Sequence, residues 1–331
     1  MKIIHSVKEM QSEALRIRRA GCRIGFVPTM GFLHEGHLSL IRKARDASNF
    51  LVVSVFVNPT QFGPAEDFNS YPRDIERDGN LCRQENVDVM FYPPADEMYA
   101  ADHSVHVEES ELCTSLCGPF RPGHFRGVTT IVAKLFNIVQ PDVAVFGQKD
   151  VQQARIIERM ARDLNFPVEI IIAPIVREAD GLAMSSRNMY LSAQERKRAT
   201  CIYESLHMAE RLCDEGIKDT AVIRNRMRDL ILECGMKENI LEAPRSRKAG
   251  QVRASPRQGG VLTPKSEVPV EIDYIETVDY RTLKPVDRIE DMTLIAVAVR
   301  IGKTRLIDNT VMGSTAVEKR RTSNCTVPNS M

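Results

Sequence analysis

Two histidines three residues apart, His34 and His37, stand in the stretch PTMGFLHEGHLSL at residues 28–40 and are candidates for chemistry. Gly31 and Gly36 have no Cβ, so they let the backbone close on a bulky ligand. An apolar run precedes the stretch and apolar residues at helical spacing follow it, which predicts that the histidines lie where a helix begins. Imidazoles at a helix N-terminus could donate hydrogen bonds to phosphate oxygens and stabilise the charge that develops as a bond to phosphorus breaks.

Two other interpretations of the histidine pair stay open at this point. One or both imidazoles could simply cap the helix. The pair could also bind a metal ion, because two histidines three apart can share a ligand face. The metal interpretation is the weaker one, since the HExxH pattern is absent and no obvious third ligand is adjacent. We expect any metal to enter with a bound nucleotide.

A second polar stretch, FGQKD at residues 146–150, follows a predicted buried strand. The strand ends at Gly147, and a cation and a carboxylate come directly after it. Lys149 could reach phosphates, and Asp150 could reach a ribose hydroxyl or magnesium. The alternative is that Asp150 starts the next helix, because Asp150 and Gln153 have the spacing of a capping box.

Three further loops also have polar side chains after a predicted strand or at the start of a predicted helix. MSSRN, residues 184–188, offers two hydroxyls and a guanidinium that suit a triphosphate, although such a loop is also typical of a solvated surface. In NPTQ, residues 58–61, Gln61 could hydrogen-bond a small polar substrate. RPGHFR, residues 121–126, is a rigid basic turn, and either of these two could be a plain turn. Because the loops follow predicted strands or open helices, we expect them to converge on one edge of a sheet.

The elements that position these loops alternate between strand and helix. Apolar runs predict buried strands at residues 23–27 (ending at Pro28), 50–57, 87–92, 142–146 and 168–172. Helical spacing predicts helices after residue 37 and at residues 74–85, 128–139 and 151–164. Strands that alternate with helices in this way indicate an α/β fold, a Rossmann-like doubly wound parallel sheet covered on both faces.

The second part of the chain has a different pattern. Ser192 and Glu195 match a capping box that opens a long helix to about residue 214, and a second helix is predicted at residues 220–234. Strands are predicted at residues 271–277 and 294–300. We therefore expect a sheet domain over residues 1–180 and a smaller α+β domain over residues 181–314. Within the smaller domain, residues 243–267 are rich in Pro, Gly, Ser and Arg and are expected to be disordered, as is the tail at residues 315–331.

Composition limits the function classes. The 331 residues are 43% hydrophobic, enough for about two domains, and the longest early apolar run, residues 50–57, is far short of the ~20 residues that cross a bilayer. We expect a cytoplasmic protein without a signal peptide or membrane contact. The eight cysteines form no CxxC pair and suggest free thiols. The formal charge is +1, but residues 244–267 hold six Arg or Lys and one Glu, so the remainder carries −4 and does not predict specific nucleic-acid binding.

Several long motifs, taken together, resemble one family. HxGH, here HEGH at residues 34–37, is the signature of the nucleotidyltransferase superfamily, and MSSRN resembles its partner phosphate loop. With VFVNPTQF (55–62), YPRD (71–74), RPGHFRGV (121–128), FGQKD and GLAMSSRNMYLS (181–192), the chain resembles the pantothenate synthetases, also called pantoate–β-alanine ligases. The resemblance covers about residues 1–243 and resumes at about residues 269–313.

The resemblance implies a Rossmann-like N-terminal domain, a smaller C-terminal domain that acts as a lid, and a homodimer. It also implies a two-step reaction with ATP and Mg²⁺ as partners of the small substrates. Pantoate would attack the α-phosphate to give pantoyl adenylate and pyrophosphate, and the amine of β-alanine would then displace AMP. This route needs no covalent enzyme intermediate, and no cysteine or serine of the chain looks activated.

The resemblance also assigns site residues by position. ATP would contact Met30, Gly31, Phe32, Leu33, His34, Glu35, Gly36, His37, Gly147, Gln148, Lys149, Asp150, Val176, Met184, Ser185, Ser186 and Arg187. Pantoate would contact Gln61 and Gln153, with Gln61 also near β-alanine. His37 would be a proton donor, and His34 with Lys149 would stabilise phosphates in the first step. No protein metal site is implied, because Mg²⁺ would arrive with ATP.

The basic segment 243–267 and the tail beyond about residue 313 depart from the family pattern, so docking of the lid is in question. Two rival functions remain. One is a nucleotidyl transfer by the same fold that keeps the nucleotide on the product, against which NPTQF and RPGHFRG argue. The other is a non-catalytic role in which the basic segment binds RNA or an acidic partner.

Overall fold

The computed structural model describes residues 1–64, 66–236 and 268–313. The predictions of disorder for residues 243–267 and 315–331, and the RNA-binding alternative for the basic segment, concern residues outside that part. No helix in the described ranges has both the length and the apolar character to cross a bilayer.

A six-stranded, fully parallel sheet forms the larger layer. Its strands are β1 (Lys2–Ile4), β2 (Ile24–Thr29), β3 (Phe50–Val55), β4 (Val89–Phe91), β5 (Val143–Gly147) and β6 (Glu169–Ala173). They lie in the order β1-β4-β3-β2-β5-β6. The chain winds outward from β2 through β3 to β4 on one side and from β5 to β6 on the other. The order therefore reverses between β2 and β5, and their carboxyl ends flank the crevice where such sheets bind ligands.

Helices cover both faces of this sheet. They are α1 (Val7–Arg19), α2 (Glu35–Asp46), α3 (Ile75–Gln84), the short α4 (Ala95–Met98), α5 (His124–Val139) and α6 (Val151–Asp163). Phe26 of β2 packs in a core with residues of α1, α5 and α6, whereas its neighbour Val27 packs on the other face with residues of α2 and α3. Successive strand residues point to opposite faces, so both must be apolar when both faces are covered. This confirms the doubly wound α/β prediction.

A smaller antiparallel sheet follows, with order β7-β8-β9. The elements of this part are α7 (Ala193–Arg198), α8 (Thr200–Asp214), α9 (Thr220–Met236), β7 (Val270–Asp279), β8 (Thr293–Ile301) and β9 (Thr304–Met312). Ile295 and Val297 of β8 pack in a core with α8 and α9, and Ala296 and Ala298, on the opposite face, pack with Val151 of α6 and its neighbours. The small sheet is thus held between its own helices and the larger layer, which confirms the second α+β part. The domain boundary at residue 180 stays a prediction.

Pro28 does not end β2, contrary to the sequence prediction, because the strand continues to Thr29. The C=O of Thr29 accepts the N–H of Phe56 from the β3 side. Adjacent strand residues direct their backbone polar groups to opposite sides, so Pro28 faces the β5 side. The β2–β5 ladder has already ended at Phe26, and the missing N–H of proline therefore removes no ladder hydrogen bond.

The predicted helix over residues 192–214 is wrong as one element. Ser192 and Glu195 do form the predicted capping box, but the helix they open ends at Arg198, and a second helix begins at Thr200. The prediction also missed β1, α1, the short α4 and β9 altogether. The other predicted strand and helix ends agree with the structure within a few residues, the usual uncertainty of such boundaries.

Candidate active site

A cavity of about 210 Å³ lies at the carboxyl ends of β2 and β5. It is bounded by α2 on one side and by the loop before α7 on the other. Most of the predicted site residues line it, namely Met30, His34, Gly36, His37, Gln61, Gly147, Lys149, Asp150, Gln153, Val176, Met184, Ser185, Ser186 and Arg187. Stretches far apart in sequence therefore meet at the predicted edge of the sheet.

A larger cavity of about 740 Å³ adjoins the first and extends toward the small sheet. Lys149, Asp150, Gln153, Ser185 and Arg187 line both cavities. Together the two spaces form one cleft between the larger layer and the small sheet. The volume of this cleft is typical of sites that bind small molecules.

The remaining predicted contacts do not line the smaller cavity. They are Gly31, Phe32, Leu33, Glu35 and Gln148. Leu33 is fully buried in the core, and Glu35 forms an ion pair with Arg42 on the outer surface of α2. Gln148 is held to the small sheet, because its C=O accepts the side-chain N–H of Asn309 at 3.0 Å. Contact of these residues with a nucleotide stays a prediction.

The two histidines share the first turn of α2. His34 is the N-cap residue, and the two imidazole centroids are 4.1 Å apart. The backbone N–H of His34 donates to Nδ1 of His37 at 3.3 Å. The capping interpretation is therefore right for one nitrogen of His37. Because Nδ1 accepts, a neutral His37 carries its hydrogen on Nε2, which remains a donor.

Both imidazoles are neutral at physiological pH. Burial, reinforced by His37 and then by the positive charge of Lys149, lowers the pKa of His34 to about 2. Burial and Lys149 lower the pKa of His37 to about 4. The cleft thus presents cationic side chains, among them Lys149 and Arg187, beside neutral hydrogen-bonding groups at the positive end of a helix.

The FGQKD stretch forms a short turn between β5 and α6. Asp150 occupies the N-cap position of α6, but its side chain makes no capping hydrogen bond. Its carboxylate lies 3.7 Å from Nζ of Lys149, and the Asp150 side chain is 51% exposed. The alternative is therefore right that Asp150 starts the helix but wrong about a capping box, and the carboxylate is accessible to a ligand.

The MSSRN loop is held by hydrogen bonds to two other loops. The hydroxyl of Ser186 donates to the C=O of Phe32 at 3.2 Å. The guanidinium of Arg187 donates to both carboxylate oxygens of Asp67, at 2.9 and 2.8 Å, and it lies over the ring of Tyr71. Asp67 and Tyr71 border the cleft, and the sequence analysis did not select either of them as a site residue.

The amide of Gln61 has a defined orientation. Asn58 Nδ2 lies 3.1 Å from the C=O of Gly127, which can only accept, so this atom is the NH₂ group. The same NH₂ group lies 3.1 Å from the Gln61 side chain, and the Gln61 atom that faces it must be the oxygen. The NH₂ group of Gln61 is then directed toward Met30, with Nε2 2.9 Å from its sulfur. Gln61 therefore presents a donor to the cleft.

Asn58 is a positioning group that the sequence analysis quoted within NPTQ without choosing it. Its Oδ1 accepts the hydroxyl of Tyr99 at 2.8 Å and that of Thr60 at 3.0 Å. Its place next to Gln61 in the motif was the available signal. Asp78, which bonds the turn before α2, had no local signal because it is more than 40 residues away.

A preformed metal site is not evident in the part of the chain that the structure describes. Within those ranges, no three His, Cys, Asp or Glu side chains lie together in a way that could hold an ion. The histidine pair in particular has no third protein ligand there, and a metal would need donors from a bound molecule.

Comparison with known proteins gives a consistent result. The family model described as pantoate-beta-alanine ligase matches residues 2–311. The pantothenate synthetase of Thermotoga petrophila is 50% identical over 313 residues, which are 95% of this chain and all of the relative. The crystal structure of pantothenate synthetase from Thermus thermophilus is 38% identical, with a TM-score of 0.79 over 94% of this chain and 99% of that one. A pantoate-beta-alanine ligase from Francisella tularensis, complexed with beta-gamma ATP and beta-alanine, is 29% identical, with a TM-score of 0.72 over 95% and 99%.

Proposed function

The chain belongs to the pantoate-beta-alanine ligase family and is a ligase of pantoate with β-alanine; from this premise we propose that it works through a pantoyl adenylate made from ATP in the cleft described above. In the first step, a carboxylate oxygen of pantoate attacks the α-phosphorus of ATP, and the bond from that phosphorus to the bridging oxygen breaks to release pyrophosphate. In the second step, the amine of β-alanine attacks the acyl carbon, AMP leaves, and the nitrogen loses a proton.

The groups that face the cleft suit a reaction catalysed by placement and charge stabilisation. Lys149 supplies a cation, Arg187 a bidentate guanidinium, and Ser185 and Ser186 hydroxyls, all of which can bind phosphate oxygens. We assign to His37 Nε2–H and to His34 the stabilisation of the charge that grows on the phosphates as pyrophosphate leaves. A neutral imidazole donates a hydrogen bond at this stage and does not have to give up its proton.

Pantoate is assigned to the side of the cleft lined by Gln61 and Gln153. The NH₂ group of Gln61 suits a carboxylate or hydroxyl oxygen of pantoate, because the hydrogen bond to Asn58 fixes the amide with its donor toward the cleft. Replacement of Gln61 by alanine should therefore weaken the use of pantoate more than the binding of ATP.

Mg²⁺ is assigned to the nucleotide. The carboxylate of Asp150, beside Lys149, is an oxygen ligand of the kind that Mg²⁺ takes, and one carboxylate plus phosphate oxygens and waters is its usual environment. When bound, the ion would neutralise phosphate charge.

A homodimer and a cytoplasmic location complete the proposal, and both rest on the family alone. Light scattering coupled to size-exclusion chromatography tests the dimer. A measured mass near 37.3 kDa, the mass of one chain, would refute the dimer.

The observation that carries the proposal is the meeting of HEGH, FGQKD, NPTQ and MSSRN around one cavity at the β2–β5 crevice. The experiment is pyrophosphate release from Mg-ATP, with pantoate present or withheld and β-alanine withheld in both. A stoichiometric burst that needs pantoate, followed by turnover once β-alanine is added, supports the adenylate route. Pyrophosphate release that requires β-alanine from the start would refute it.

A further inference from the structure

Asp78 lies on α3, and its carboxylate is buried against the turn that precedes α2. The Asp78 side chain is only 1% exposed. Its two oxygens accept the backbone N–H groups of Phe32 and Leu33, each at 2.7 Å. One carboxylate therefore holds two successive amides of the turn that leads into the histidine pair.

The turn needs outside support because its backbone is unfavourable. Gly31 has φ +84° and Phe32 has φ +51°, so two consecutive residues lie in the left-handed region. Glycine adopts this region freely, but a phenylalanine does not. A Cβ at Gly31 would lie 2.9 Å from the Val55 side chain and 3.0 Å from Asp78 Oδ2, so the turn is also packed tightly between β3 and α3.

Side chains bond every amide of this turn. The N–H of Gly31 donates to Thr29 Oγ1 at 3.2 Å, and the N–H of His34 donates to His37 Nδ1 at 3.3 Å. Between them are the two shorter bonds to Asp78. The carboxylate thus makes the two shortest contacts in a series that ends at the imidazole of His37.

Asp78 does not line the cleft. It lines a neighbouring cavity of about 390 Å³, which also includes Gly31 and Val55. The neighbouring Arg77 lies with its guanidinium 4.9 Å above the centre of the Phe32 ring and 3.8 Å from the Asp78 carboxylate. α3 therefore holds Phe32 by both its backbone and its ring, and a change at Asp78 reaches the cleft through the turn.

We propose that Asp78 is a positioning residue for the first step: its carboxylate fixes the turn at residues 31–33 and thereby places His34 and His37 against the phosphates. The inference rests on the proposed adenylate route. Asp78 itself touches neither substrate nor the reacting atoms.

The test is Asp78→Asn in the full-length protein. The substitution keeps the shape but replaces one acceptor oxygen with an NH₂ group that faces a backbone N–H. We expect the rate constant of single-turnover, pantoate-dependent pyrophosphate release at saturating Mg-ATP to fall at least about 10-fold, because misplaced donors stabilise developing charge poorly. The dissociation constant of ATP should change by less than about 3-fold, because Lys149, Ser185 and Arg187, which lie outside the turn, supply most of the phosphate contacts in the proposed route.

The matched control is Asp74→Ala in the same helix. Asp74 caps α3 by accepting the N–H of Arg77 at 3.0 Å, and it makes no hydrogen bond to the turn. If Asp78 only stabilised α3, both variants would lower the burst amplitude, which counts folded sites, and leave the rate constant unchanged. We expect Asp74→Ala to behave in that way and Asp78→Asn to lower the rate constant. Thr29→Val, which removes the acceptor of the Gly31 amide, is the second variant if Asp78→Asn does not fold, and it should also lower the rate constant.

An unchanged rate constant in Asp78→Asn, or in Thr29→Val where that variant replaces it, would overturn the inference. Failure of the wild-type protein to release pyrophosphate with pantoate alone would instead refute the adenylate route. The two failures are therefore distinguished by the wild-type trace.

Discussion

Replacing His37 by asparagine and by glutamine separates the two hydrogen-bonding roles of its imidazole. An asparagine amide oxygen can take the place of Nδ1 and accept the N–H of His34, but its side chain is too short to reach the position of Nε2. A glutamine amide can place an NH₂ group near the position of Nε2 and leaves the His34 amide without its acceptor. Because the structure assigns the cap to Nδ1 and the donor to Nε2, the two variants test different claims.

The expected magnitudes differ enough to decide. Removing a donor to developing charge typically lowers a rate by about 10²–10³-fold, or ~3–4 kcal/mol. Loss of a helix cap lowers the free energy of unfolding by about 0.5–2 kcal/mol. The 3.3 Å separation between the His34 nitrogen and His37 Nδ1 favours the lower part of that range. We therefore expect His37→Asn to lose at least about 10²-fold in the first step with little change in melting temperature. His37→Gln should stay within about 10-fold of the wild-type rate and unfold at a lower temperature.

The assay is rapid-quench measurement of pantoate-dependent pyrophosphate release at saturating Mg-ATP, alongside thermal unfolding of each variant. A near-wild-type rate for His37→Asn with a slow His37→Gln would mean that His37 acts only as a cap. Equal losses of rate in both variants would also refute the reasoning, since it assigns the rate to one nitrogen.

Three further outcomes are expected. Asp67→Asn should tighten ATP binding about 2- to 5-fold in calorimetric titration, because Asp67 occupies the guanidinium fork of Arg187 in a partly exposed pair; weaker binding would show that Asp67 helps to hold the nucleotide. Gly127→Ala should raise the KM for pantoate about 10-fold more than it raises the KM for ATP, because its Cβ would lie 2.4 Å from the C=O of Thr60 and push on the NPTQ turn. Equal increases in the two KM values would contradict this reasoning. Burial and, to a smaller extent, the charge of Lys149 lower the pKa of His37 to about 4. As the pH falls, the unfolded chain therefore binds a proton at this histidine before the folded protein does, and the native state loses stability between about pH 6.5 and pH 4. Urea unfolding at pH 7.5 and pH 5 should therefore show the wild type losing about 2 kcal/mol more than His37→Asn, and parallel losses would refute the assignment.

The core of the fold could be predicted because its signals are local. Strands covered on both faces are continuous apolar runs, and the helices between them have apolar residues at helical spacing. β1 is too short at three residues to give such a signal, and α1 that follows it was missed with it. No residue between Arg198 and Thr200 is of a type that would forbid a helix, so the break becomes visible only in the three-dimensional structure.

The site was predictable as a set of motifs, but not in its supporting contacts. His34 and Lys149 belong to compact stretches that follow strands, where sheet topology brings them together, and Arg187 belongs to the compact loop before α7. Asp67 accepts hydrogen bonds from Arg187, which is 120 positions away in the sequence. Asp78 accepts hydrogen bonds from the amides of Phe32 and Leu33, which are 46 and 45 positions away. A carboxylate in the sequence does not indicate which distant amide or guanidinium it will meet, so these partners become visible only in three dimensions.

Capping and catalysis are two consequences of one arrangement at His37. The N–H of His34 directs a lone pair of Nδ1 toward the backbone, which leaves the hydrogen on Nε2. Burial keeps that imidazole neutral, and a neutral donor in a dry site gains strength as charge accumulates on the group it faces. A proton on Nδ1 would point at the His34 N–H and break the bond that orients the ring. Acid should therefore remove the cap and misplace the donor in the same titration of the folded protein, so the first-step rate should fall with a midpoint near pH 4, where the loss of stability assigned to His37 is already nearly complete.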